Sequence, residues 1–168
     1  MSEAEFSRPV DVRQADGRQL HLEADESERV ALAQRFGLVR IDRLEATLLL
    51  ARNNGEISAE GTLEADFVQS CAVSAEDLPV AIEETLSFRF VPQESKHAPD
   101  EEIEIDAEDC DEIEYCGTSF DLGEAVAQSL ALAVDPFATG PEAEEARARL
   151  AAQDVSPFAA LKGLLPRD

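Results

Sequence analysis

From Glu56 to Phe67 the chain alternates without a break. Ile57, Ala59, Gly61, Leu63, Ala65 and Phe67 interleave with Glu56, Ser58, Glu60, Thr62, Glu64 and Asp66. Successive side chains of a strand point to opposite faces, so period two sends the apolar set to one side and every acid to the other. A sheet with one dry and one wet face follows, which is the habit of antiparallel pairing. Val80, Ile82, Leu86, Phe88 and Phe90 repeat the alternation as far as Pro92. Upstream, the stretch from Val39 to Leu50 also reads as strand, and Asn53-Asn54-Gly55 between the two supplies residues that tolerate the positive φ of a tight turn. Phe6, Val10 and Val12, then Leu20 and Leu22, flank Asp16-Gly17 and predict a short hairpin.

Elsewhere the period is that of a helix. ADESERVALAQRFG offers Asp25 as a cap with Glu28 three residues on, an apolar set Val30, Ala33 and Phe36, and Gly37 as a stop. Asp121 caps a second helix and Glu124 completes its capping box, and Leu122, Val126, Leu130 and Val134 form one stripe ended by Asp135-Pro136. Thr139 to Glu142 opens an alanine-rich helix reaching about Gln153, and Ser156-Pro157 opens another presenting Phe158, Leu161 and Leu165. The fold class is therefore α+β: an antiparallel sheet that can be strongly curved, from the first two thirds, packed by the early helix and the C-terminal helices. With 168 residues, 44% of them hydrophobic, the chain suits one domain over residues 1–168, long enough to bury roughly two thirds of its unfolded surface.

Charge narrows the function. The net charge is −23, and it is unevenly spread. Residues 1–52 hold eight arginines against ten acids, 8 − 10 = −2, and the remainder holds 6 − 27 = −21. Phosphate binding needs clustered Lys and Arg, so direct contact with RNA is confined to the first third, where Arg29, Arg35, Arg40 and Arg43 are the candidates. Interspersed acids favour a solvated surface for them instead. The remainder repels a polyanion and attracts a basic protein. The densest acidity lies at Asp100, Glu101, Glu102, Glu104, Asp106, Glu108, Asp109, Asp111, Glu112 and Glu114, ten acids in fifteen residues with no base among them. Glu102 to Ile105 alternates again and reads as an edge strand whose charges discourage pairing with other chains.

A calcium cage, a catalytic pair and a surface for a cationic partner are three uses for such acids. An EF-hand loop needs Gly at its sixth position and Glu at its twelfth; counted from Asp106 those places hold Asp111 and Gly117. Paired catalytic carboxylates need burial or crowding to separate their pKa values, and nothing in the pattern buries a pair. Cys110 and Cys116 lack the spacing of a zinc knuckle, and Cys71 in QSCAVS reads as a small core hydrophobe. His21 and His97 lie among polar residues with no nucleophile motif beside them, and no Gly-x-Ser-x-Gly elbow, Walker loop or Rossmann fingerprint occurs. The expectation is a protein without catalytic residues, cofactor or metal, whose acids face a partner. The start MSEAEFSRPV is acidic where a secretory signal is basic and then apolar. No apolar run approaches the roughly 20 residues that span a bilayer, and three cysteines are a poor disulfide framework. Together these predict a cytoplasmic protein without membrane attachment.

Several separated pieces resemble the YceD family, the large ribosomal RNA subunit accumulation proteins, in its alphaproteobacterial form: FSRPV, ERVALAQRF, GEISAEGTLEA, QSCAV, DLGEAVAQSLALAVDPF and SPFAALKGL. The resemblance runs over nearly the whole chain. It implies a role in synthesis, processing or stability of large-subunit ribosomal RNA, with no established catalytic chemistry. It also implies a genomic neighbour that encodes a small, basic, zinc-binding protein of the large subunit, a fitting partner for an acidic chain. Many relatives carry a second cysteine three positions after the one matching Cys71, and more cysteines beyond the DLGE helix. This chain has Ser74 and the cysteine-free PFATGPEA there, so no metal site is carried over.

Overall fold

The longest elements form where the alternation is longest. In the computed structural model, which describes residues 4–93 and 111–153, strands β3 (Arg40–Asn53) and β4 (Glu56–Ser70) make a hairpin across a two-residue turn. Asn54 has φ 50° and Gly55 φ 89°, the pair of positive angles that lets a two-residue turn follow the right-handed twist of its strands. Leu44, Ala46, Leu48 and Leu50 on β3 and Ile57, Ala59, Leu63 and Ala65 on β4 fill the dry face, all but fully buried. Leu48 lies opposite Gly61, where a β-carbon would fall on the carbonyl of Thr47. Glycine is thus required by close approach of two backbones. A bulge between Ile41 and Arg43 shifts the register near the open end of the hairpin.

The sheet has five strands in the order β2-β3-β4-β5-β6, with β2 at Gln19–Glu23, β5 at Asp77–Pro92 and β6 at Asp111–Tyr115. β2 is antiparallel to β3, whereas β6 runs parallel to β5. Two three-residue strands, β1 (Pro9–Asp11) and β7 (Ser119–Asp121), pair separately. Helix α1 (Glu26–Phe36) packs beside β3, and α2 (Leu122–Ala133) turns Leu122, Ala125, Val126, Ala127 and Leu130 into the core. Phe90 and Phe120 stack with centroids 4.3 Å apart, and Tyr115 adds a third ring whose hydroxyl donates to the carbonyl of Gly55 at 2.7 Å. This is the α+β class expected.

Contacts group the chain into two units. Met1–Gln69 with Pro79–Asp135 holds the sheets and both helices above; Ser70–Leu78 with Pro136–Asp168 holds helix α3 (Ala143–Gln153). Among the described residues no helix is long and apolar enough to cross a membrane.

Three expectations need correction. The Asp16-Gly17 turn exists, with Gly17 at φ 68°, but it does not join a hairpin: β1 pairs with β7 and β2 with β3. The reason is that the intervening chain bonds to β3 instead, Gly17 N–H donating to the carbonyl of Leu50 and Leu50 N–H to that of Arg18. On α1 the buried side chains are Leu32 and Ala33, while Val30 is 54% exposed. At α2, Asp121 caps by accepting from the N–H of Glu124, but the Glu124 carboxylate does not return to close the box; it turns to Arg35. The expected edge strand at 102–105 and helix at 156–165 lie outside the described residues.

Candidate functional site: an acidic sheet face

The wet face of the sheet is where charge gathers. Along β4 it presents Glu56, Glu60, Glu64 and Asp66, opposite Asn53, Leu49, Glu45 and Arg43 of β3. Register then does what composition alone would not foretell: Glu23 of β2 stands opposite Glu45, and Glu45 opposite Glu64. Three carboxylates sit in one cross-strand row. Like charges directly opposed destabilise a sheet, so the row has to be offset locally.

Arg43 provides the offset. Its guanidinium donates to Glu64 at 2.9 Å and Asp66 at 2.8 Å, with Glu45 at 3.8 Å. These partners, Asp66 first, raise its pKa above the ordinary guanidinium value. On the same face Arg89 of β5 pairs with Glu112 of β6, which lies opposite it. From Asn53 to Phe88 the chain has no Lys or Arg and eight acids, so Glu56, Glu60 and Glu83 have no cation on their own strand segments.

Of the acids singled out in the sequence, Asp111, Glu112 and Glu114 belong to β6, with Glu112 and Glu114 exposed; Asp100, Glu101, Glu102, Glu104, Asp106, Glu108 and Asp109 lie outside the described residues. The β2–β4 face was not among the candidates, although the spacing that reveals it is the clearest in the chain. Its cross-strand row needed the pairing register.

The four arginines do not converge. Arg29 donates to the carbonyl of Ala24 at 2.7 Å. Arg40 binds Asp42, and Arg43 its three acids. Arg35 grips Glu124 with both terminal nitrogens and reaches Glu5 at 2.9 Å. That ion pair raises the Arg35 pKa and lowers that of Glu124. Arg29 and Arg40 both line a groove of about 340 Å³ between α1 and β3, together with Glu26 and Asp42.

Cys71 is buried as expected of a core thiol, yet its surroundings are polar. The N–H groups of Ser74 and Gly140 both donate to Sγ at 3.4 Å. The Ser74 side chain and then these amides lower the thiol pKa to about 7. Among the described residues no group of three His, Cys, Asp or Glu side chains is placed to hold a metal ion.

No curated protein and no solved structure matches the chain. A family model does, over residues 59–165, which take in most of β4, then β5, β6 and all that follows up to the last few residues. Because that match covers more than half of the sequence, the chain belongs to the family described as large ribosomal RNA subunit accumulation protein YceD, and with it to proteins involved in accumulating large-subunit ribosomal RNA.

Proposed function

We propose that this protein supports large-subunit ribosomal RNA accumulation without catalysing a reaction, by holding a basic ribosomal protein of the large subunit on its acidic surface in the cytoplasm. The observation that carries this reading is the row Glu23, Glu45 and Glu64. A sheet that tolerates opposed carboxylates on its exposed side retains charge at a cost in stability, and sites that break a local rule are where function is expected. Complementary potential hastens encounter and excludes like-charged competitors more than it adds affinity. An acidic escort would thereby keep a basic protein away from wrong RNA until delivery.

Direct RNA binding through Arg29, Arg35, Arg40 and Arg43 draws less support. Three of the four are already held by carboxylates and the other by a backbone carbonyl, so phosphate would have to displace existing partners.

The test is binding of a basic large-subunit ribosomal protein by titration at several salt concentrations. Affinity is expected to fall steeply with salt, since exposed charges are screened over about 8 Å at physiological ionic strength. It should also fall when Glu56, Glu60 and Glu64 are changed to Gln, or when the acids from Asp100 to Glu114 are neutralised. Undiminished affinity in both variants would overturn the reading. Substituting the four arginines is expected to leave an RNA gel shift unchanged.

A further inference from the structure

The end of α1 brings two apolar side chains to the surface side by side. Gly37, at φ 67°, closes the helix in the left-handed region, and the Leu38 N–H donates back to the carbonyl of Ala33. The chain reverses at once, so β3 starts alongside the helix it has just left. Between them lies the groove of about 340 Å³, floored by the buried Ala33, Leu38 and Ile41. Val30 on the helix and Val39 just before the strand line its sides, 54% and 45% exposed. Helical spacing sets Val30 three residues before Ala33, so it carries the apolar stripe past the point where the protein's own core ends. The whole lining falls within residues 26–42, one uninterrupted described stretch.

Charge sets this groove apart. Its rims carry Arg29 and Arg40 against Glu26 and Asp42, a balance of 2 − 2 = 0 on a chain whose net charge is −23. Apolar surface rimmed by polar groups marks a place of contact, and the balance of signs selects the partner. A basic protein meets two guanidinium groups here and is drawn to the acidic face instead. A polyanion meets Glu26 and Asp42 and the repulsion of the whole chain. A second copy brings the same neutral mixture. In a two-fold contact one patch faces itself, so each cation can be set against an anion.

We propose that two copies of the protein associate through this groove about a two-fold axis, with Val30 and Val39 of each copy covering those of the other and Glu26 and Arg29 paired across the contact. Two exposed valines a side supply much less than the roughly 800 Å² per partner of a standard stable interface, so the dimer is weak and reversible. Its formation is independent of the capture of a basic protein, and salt moves the two in opposite directions. Copies with a charge of −23 repel, so screening favours their pairing while it weakens the hold on a cation.

The test is sedimentation equilibrium of the full chain at concentrations up to about 1 mM, where weak association is populated. It is run at about 0.01 M and about 0.15 M salt, at which charges act over roughly 30 Å and 8 Å. A dimer is expected, with more of it at the higher salt. Val30→Ser removes the apolar contact twice in a two-fold dimer and is expected to weaken association about tenfold or more. Glu26→Arg and Glu60→Arg shift the net charge equally, but only the first unbalances the groove. Glu26→Arg should therefore weaken the dimer, whereas Glu60→Arg on β4 should strengthen it. Val30, Glu26 and Glu60 are all exposed, so the variants are expected to keep the wild-type fold, which circular dichroism checks. Amide exchange in concentrated protein should slow within residues 26–42. Absence of any dimer at the higher salt would overturn the contact between copies. So would a dimer indifferent to Val30→Ser, one that Glu26→Arg strengthens as much as Glu60→Arg does, or protection confined to other residues. Each of these failures would leave capture of a basic protein standing.

Discussion

Gly61 shows how much a single missing methyl can carry. The two backbones of the central hairpin approach so closely there that a side chain of any size meets the Thr47 carbonyl. Gly61→Ala is therefore expected to destabilise the protein by roughly 1–3 kcal/mol in denaturant titration, as overpacking does. Leu130, fully buried on α2, should cost about 2–5 kcal/mol when changed to Ala, through the opposite defect of a cavity. The Cys71 thiol, held near pKa 7 by Ser74 and Gly140, should react with an alkylating reagent with a pH midpoint about there. Ser74→Ala is expected to move that midpoint upward. Since the folded value lies below that of an ordinary thiol, the stability it contributes is complete above about pH 9 and is lost as pH falls through about 7. QSCAVS holds Ser74 but gives no sign that it turns back on the thiol, and the Gly140 amide comes from far along the chain.

At the scale of the element, legibility followed length. β3, β4 and β5 each span enough residues for period two to outweigh chance, and α1 and α2 carry caps that name their starts. β1 and β7 have three residues each, too few for any period, so local sequence points to a hairpin at Asp16-Gly17 instead of their pairing. β6 has only five residues, and its parallel course depends on a crossover that local sequence does not encode. What fastens the short strands is side-chain chemistry. Asp121 accepts from Glu124 N–H, from Arg8 N–H at 2.8 Å and from the Ser7 hydroxyl at 2.6 Å, so one carboxylate starts α2 and ties the N-terminal segment to it. Asp121→Ala should cost roughly 1–2 kcal/mol, and Asp121→Asn, which keeps an acceptor, less. Beside it, Arg8 lowers the pKa of Glu28 and Arg35 that of Glu124. Stability from these pairs is complete above the ordinary carboxylate value near 4.5 and is lost as pH falls through their depressed values. Unfolding free energy measured against pH should show that loss only in the acid range, and Arg35→Gln should diminish it.

For the molecule as a whole, net charge of −23 acts on stability and on association with opposite signs. Self-repulsion strains a compact state, so added sodium chloride is expected to raise the melting temperature while it weakens capture of a basic partner. Arg43→Gln should lower the melting temperature most at low salt, where the row of Glu23, Glu45 and Glu64 is least screened. The acidity was plain in the sequence; that much of it lies across three paired strands was not, because cross-strand neighbours come from register and not from spacing. The scarcity of cations along β4 and most of β5 has a practical side. A protease that cuts only after lysine or arginine finds no bond to cleave between Arg52 and Arg89. However far the chain is unravelled, β4 and most of β5 should leave a tryptic digest as one uncut fragment, with Cys71 inside it.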